Sequence, residues 1–127
     1  MIVVDTSALM AIVLNERSAD SCIAALESES QILISAGTVV ESFVVASGRR
    51  VTAETESLIE GLDLEIVSVT GSTAMAVGAA YRKWGKGFHP AGLNFGDCFA
   101  YALAMERGCP LLYVGEDFAR TDVRGLL

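Results

Sequence analysis

Short runs of apolar, β-branched residues alternate along the chain with longer stretches of helical periodicity. Ile2-Val3-Val4, Ile32-Leu33-Ile34, Leu64 to Val69 and Leu111 to Val114 read as four strands. Helices are predicted between them over Ser7 to about Leu14, Ala19 to Glu29, Val39 to about Gly48, Ala53 to Gly61, Thr73 to Trp84 and Phe95 to Arg107. Gly108 closes the last of these. Gly85 to Gly92, with three glycines and a proline, reads as loop, and a short fifth strand is predicted near Val123 to Leu126. Strands this short and apolar, with helices between them, predict a three-layer α/β fold. Its parallel sheet has four to five strands and is covered by helices on both faces. Crossovers in such a sheet are right-handed. Ligands lie beyond the carboxyl ends of its strands.

The 127 residues suit one domain spanning positions 1–127. Hydrophobic residues make up 52% and mean hydropathy is +0.47, enough for a generous core. Charged residues are 20%, which argues against disorder. The longest apolar runs, Ala8 to Leu14 and Phe99 to Met105, fall far short of the roughly 20 residues that cross a bilayer. Met1 to Asp5 has no basic segment before its apolar stretch and does not read as a secretory leader. A soluble, cytoplasmic protein with no membrane partner is expected. Cys22, Cys98 and Cys109 are odd in number and form no C-x-x-C pair, so they are expected to be buried free thiols.

The net charge of −7 changes the picture. A protein that held nucleic acid by phosphate contacts alone should be basic. Either the acids cluster around metal ions that reverse the local sign, or the partner is a basic protein. The placement of the acids favours the first. Asp5 follows the first strand directly, and Glu41 lies at the start of the helix after the second. Asp97 sits in the first turn of the helix before the fourth strand, and Asp117, with Glu116 beside it, follows that strand. All four are expected at one sheet edge. Carboxylates gathered there repel one another and hold protons unless a cation intervenes. Hard oxygen ligands without His or Cys select Mg²⁺ or Mn²⁺. Such ions cleave phosphodiesters by activating water and stabilising the leaving oxygen. Each acid also has a structural reading. Thr38 to Glu41 and Asn94 to Asp97 have the form of capping boxes, and Asp5 is placed to cap the helix that follows it.

At these residues the chain resembles the PIN-domain family, and within it the VapC-type toxins of bacterial toxin–antitoxin pairs. The matching pieces are Ile2 to Ala8, Thr38 to Glu41, Leu93 to Ala102 and Leu111 to Val123, in order across essentially the whole chain. The Asn94-Phe95-Gly96-Asp97-Cys98-Phe99-Ala100-Tyr101-Ala102 block is the most specific. The resemblance implies an RNA endonuclease with Asp5, Glu41 and Asp97 as metal-binding acids and Asp117, or its neighbour Glu116, as the fourth. It implies support from Thr6 or Ser7, which would hold a ligand or water. It further implies a homodimer and a VapB-like antitoxin that inserts a basic side chain into the acidic groove. The alternative is a non-catalytic PIN-like module whose groove serves only protein partners.

Other candidates carry less. Arg49, Arg50, Arg82, Lys83 and Lys86 are the densest cations, equally suited to RNA phosphates and to solvated helix ends. His89 lacks ligand partners, and Trp84 and Phe88 are base-stacking candidates that more simply serve packing. A haloacid-dehalogenase-like phosphatase would need an acid where Ser7 stands. A receiver domain would need its Asp at Val69-Thr70-Gly71.

Overall fold

Ile2–Val4 (β1) has no polar side chain and is wholly buried, so its pairing decides the architecture. In the computed structural model, which describes all 127 residues, it pairs in parallel with Ile32–Ser35 (β2) on one side and Leu111–Leu112 (β4) on the other. Glu65–Val67 (β3) pairs in parallel with β2, giving the order β3-β2-β1-β4. The helices are Thr6–Val13 (α1), Ala19–Glu27 (α2), Ala36–Arg49 (α3), Thr52–Gly61 (α4), Gly71–Trp84 (α5) and Asp97–Arg107 (α6). None is long and apolar enough to cross a membrane.

Alternation along the strands splits the core in two. Val3, Leu33 and Leu111 pack with Val77, Ala80 and Leu103 of α5 and α6. Ile2, Val4, Ile34 and Leu112 pack with Leu9, Cys22, Leu26 and Ala46 on the other face. This is the three-layer parallel arrangement expected. All three cysteines are buried and unbonded, as anticipated.

Element boundaries differ where one residue serves two elements. The helix after β2 is expected from Val39 with Thr38 as cap; instead α3 begins at Ala36, and Ser35, the last residue of β2, accepts the Gly37 N–H at 3.2 Å. Thr38 is therefore inside the helix, buried, and caps nothing. β3 and β4 are shorter than the apolar runs that contain them, and the fifth strand reduces to a single bridge between Gly125 and Leu111. The α1 exit is sharp. Asn15 adopts φ +51°, its N–H donates to Ile12 O at 3.1 Å, and the Glu16 N–H donates to Ala11 O at 2.8 Å. This pair of bonds is a Schellman motif, with asparagine in the left-handed position that glycine usually fills.

Candidate active site

The carboxyl edge of the sheet is built from capping interactions. Asp5 leaves β1 with extended backbone and caps α1. Its Oδ2 accepts the Ser7 N–H at 3.0 Å and the Ser7 hydroxyl at 2.7 Å. Ser7 Oγ in turn accepts the Val114 N–H at 3.0 Å, which ties the exit of β4 to the start of α1. Asp5 Oδ1 is buried and has no hydrogen-bond partner.

Glu41 reaches the same edge from the second turn of α3. Thr6 Oγ1 donates to its Oε1 at 2.6 Å, and Ser42 Oγ lies 3.2 Å from Thr6 while donating to Thr38 O at 2.8 Å. The other side of the Glu41 carboxylate rests on Gly96, where a Cβ would collide with it. Asp97 is held by a reciprocal pair: its Oδ2 accepts the Asn94 N–H at 3.0 Å, and Asn94 Oδ1 accepts the Asp97 N–H at 2.9 Å. The box read in Asn94 to Asp97 is therefore present, and capping leaves the other Asp97 oxygen free.

Asp5, Glu41 and Asp97 line one cavity of about 280 Å³ together with Thr6, Ser7 and Glu16, and no basic side chain faces it. Burial is the main cause that raises the Asp5 carboxyl to about 7, helped by the charges of Asp97 and Glu41 and opposed by the Ser7 bonds. Asp97 is raised to about 6 by burial and by Glu41 and Asp117, against the Asn94 bond.

The expected fourth acid stands apart. Asp117 is exposed and does not line the cavity, although its charge is felt by Asp97; Glu116 is exposed too and acts on neither. Glu16 lines the cavity and was not anticipated. The available signal was Leu14-Asn15-Glu16, an asparagine closing an apolar helical run, which fixes the residue after it. Glu16 is exposed, which puts it at the mouth.

Trp84 and His89 are structural. Trp84 Nε1 donates to Tyr101 OH at 2.8 Å, and Tyr101 donates to Asp122 at 2.6 Å. His89 packs on Trp84 and its Nδ1 accepts the Ala91 N–H.

A family model described as PIN domain matches residues 2–124. The chain belongs to the PIN-domain family. Among PIN-domain relatives, it is 41% identical to Ribonuclease VapC30 of Mycobacterium tuberculosis over 124 residues, 95% of each chain. Its fold is similar to the crystal structure of Mycobacterium tuberculosis VapC20, a Sarcin-Ricin loop cleaving toxin. The TM-score is 0.80, with 15% identity and 99% and 98% of the two chains covered. It also matches VapBC2 from Rickettsia felis, bound to a promoter DNA fragment, at a TM-score of 0.72, 18% identity and 100% and 98% coverage.

The donor set can be tested against a divalent ion. No three acids close round a single point. Mg²⁺ does not require that, since it keeps several waters and takes one or two carboxylates directly. An unpartnered buried oxygen on Asp5, an oxygen-only lining among the ionisable groups and two carboxyls raised above the usual carboxylate range by burial and neighbouring charge all fit a hard cation.

Proposed function

We propose that this PIN domain is a Mg²⁺- or Mn²⁺-dependent endoribonuclease, the toxin of a toxin–antitoxin pair. The observation that carries the reading is Asp5: a buried carboxylate with one oxygen tied to Ser7 and the other unpartnered, in a cavity shared with Asp97 and Glu41. The ribonuclease named at 41% identity supports the RNA substrate.

In this reading Asp5 and Asp97 hold the ion directly. Glu41, oriented by Thr6 and Gly96, holds it directly or through water. Asp117 adds negative charge beside Asp97 and helps hold a second ion or the attacking water. When bound, the ion supplies a water of lowered pKa and neutralises phosphate charge. Ser7 keeps Asp5 in one rotamer, so Oδ1 always faces the same way. The cavity walls keep the carboxylates largely out of bulk solvent, where their interactions with charge are strongest.

The toxin–antitoxin reading adds two partners. One is a second copy of the chain. The other is a VapB-like antitoxin with a basic side chain for the acidic cavity. Val40 and Val44, exposed on α3 beside Glu41, offer an apolar shoulder for such a segment.

The test is incubation of the purified protein with total bacterial RNA and Mg²⁺ or Mn²⁺, beside a chelator control and Asp5→Asn. Discrete cleavage that chelator and mutation both remove is expected. Intact RNA after incubation with folded, metal-supplied protein would transfer the cavity to the protein-binding alternative.

A further inference from the structure

A second cavity lies on the other side of the α6 N-terminus. Asp97 lines the acidic cavity and the next residue, Cys98, lines this one, so the two share a wall. Its volume is about 490 Å³, and Val69, Val77, Tyr81, Phe95 and Phe99 form its apolar surface with Arg82 at the edge. Phe95 is 74% exposed, an unusual state for a large aromatic two residues from a buried acid. It meets Phe99 edge-on, with ring centres 5.2 Å apart and planes at 86°. Phe99 in turn is seated against Gly37, where any Cβ would strike its ring. Phe99 is thus held in place, and Phe95 stands against it with one face open. Arg82 has no carboxylate partner, because the chain's sole ion pair joins the N-terminus to Glu29.

We propose that this cavity receives a nucleobase of the RNA, the one neighbouring the phosphate held at Asp5 and Asp97, stacked on Phe95 with Arg82 against a backbone phosphate. The proposal rests on the acidic cavity being the cleavage site. Three observations favour a base as occupant. The cavity adjoins that site, because the consecutive residues Asp97 and Cys98 line one each. An open aromatic face beside a free guanidinium matches the two chemistries of a nucleotide, a π-face and an anion. The cavity's volume of about 490 Å³ is also that of a small-molecule pocket, enough for a single base.

The experiment uses a short labelled RNA spanning a cleavage site mapped on total RNA. It is made intact and with an abasic nucleotide at either position flanking that site. Wild-type protein is expected to lose about tenfold in kcat/KM, through KM, on one abasic RNA. Phe95→Ala should lose a similar factor on intact RNA and nothing further on the abasic one, and Phe95→Trp should restore both. Phe95 is exposed, so these variants should melt as the parent does. Equal abasic penalties in wild type and Phe95→Ala would overturn the proposal, as would no penalty in wild type. If Phe95→Ala turns a dimer into a monomer in sedimentation equilibrium while the penalty persists, the surface belongs to a second copy. Wild-type protein that cleaves no RNA at all overturns the cleavage reading itself, a result distinct from each of these.

Discussion

Asp5 divides its work between its two oxygens: Oδ2 closes the helix turn on Ser7, and Oδ1 is left without a partner in the interior. Asn in its place keeps an oxygen for Ser7 and loses the charge. Asp5→Asn should therefore fold, and lower cleavage on the order of a thousandfold, the scale of several kcal/mol of metal-assisted stabilisation. Single-turnover rates on a defined RNA check this. Glu41 depends on an absence. Gly96 has helical φ and ψ, −64° and −39°, so alanine there meets no backbone strain. Its methyl would instead strike the Glu41 carboxylate. Gly96→Ala is expected to reduce cleavage roughly 10- to 100-fold, as lost ligand positioning does, with little change in melting temperature. If displacement of Glu41 is the whole cause, the double variant with Glu41→Ala should be no slower than Glu41→Ala alone. A further loss in the double variant would refute that cause.

At the scale of elements, Ser7 is the joint between β1, α1 and β4, because its hydroxyl donates to Asp5 and accepts from Val114 N–H. Ser7→Ala leaves that N–H unpaired and loosens the cap. A cost of about 1–2 kcal/mol in chemical denaturation is expected, with weaker cleavage from the freed Asp5 rotamer. A variant as stable as the parent would show that water replaces the hydroxyl. Such joints explain what could be read along the chain and what could not. The four strands and six helices were legible because burial imposes periods of two and of 3.6 on the apolar residues. The convergence of Asp5, Glu41 and Asp97 followed from the parallel sheet, which sends strand exits to one edge. The start of α3 was misplaced because β2 and α3 share Ser35 with no loop between them, and Thr38 offered a competing cap pattern. Asp117 was grouped with the other acids because it also follows a strand. The chain leaves β4 after Leu112, however, and carries Asp117 onto the exposed turn before Phe118. Glu16 escaped notice because its position depends on a left-handed asparagine, and the role of Gly96 depends on a neighbour from another helix.

For the whole molecule, the carboxylates set up an opposition between folding and ionisation. The Asp5 carboxyl has a value of 3.8 when unburied and about 7 in the fold, and Asp97 moves from 3.8 to about 6. Between these limits the folded chain binds more protons than the unfolded one, so stability falls as pH rises. The contribution is fully present below pH 3.8 and is spent by about pH 7. The net charge of −7 acts in the same direction, because self-repulsion grows as acids ionise. Metal-free protein is therefore expected to melt several degrees Celsius lower at pH 8 than at pH 5, a window above the titration of ordinary carboxylates. Asp5→Asn removes the larger shift and should flatten much of that slope, melting above the parent at pH 8 without metal. Mn²⁺ should raise the parent at pH 8 and do little at pH 5, because binding must displace the protons that Asp5 and Asp97 hold there. A parent whose metal-free melting temperature is level or rising from pH 5 to pH 8 would mean that these acids ionise freely in the fold. The cavity would then lack the electrostatic reason for recruiting a cation.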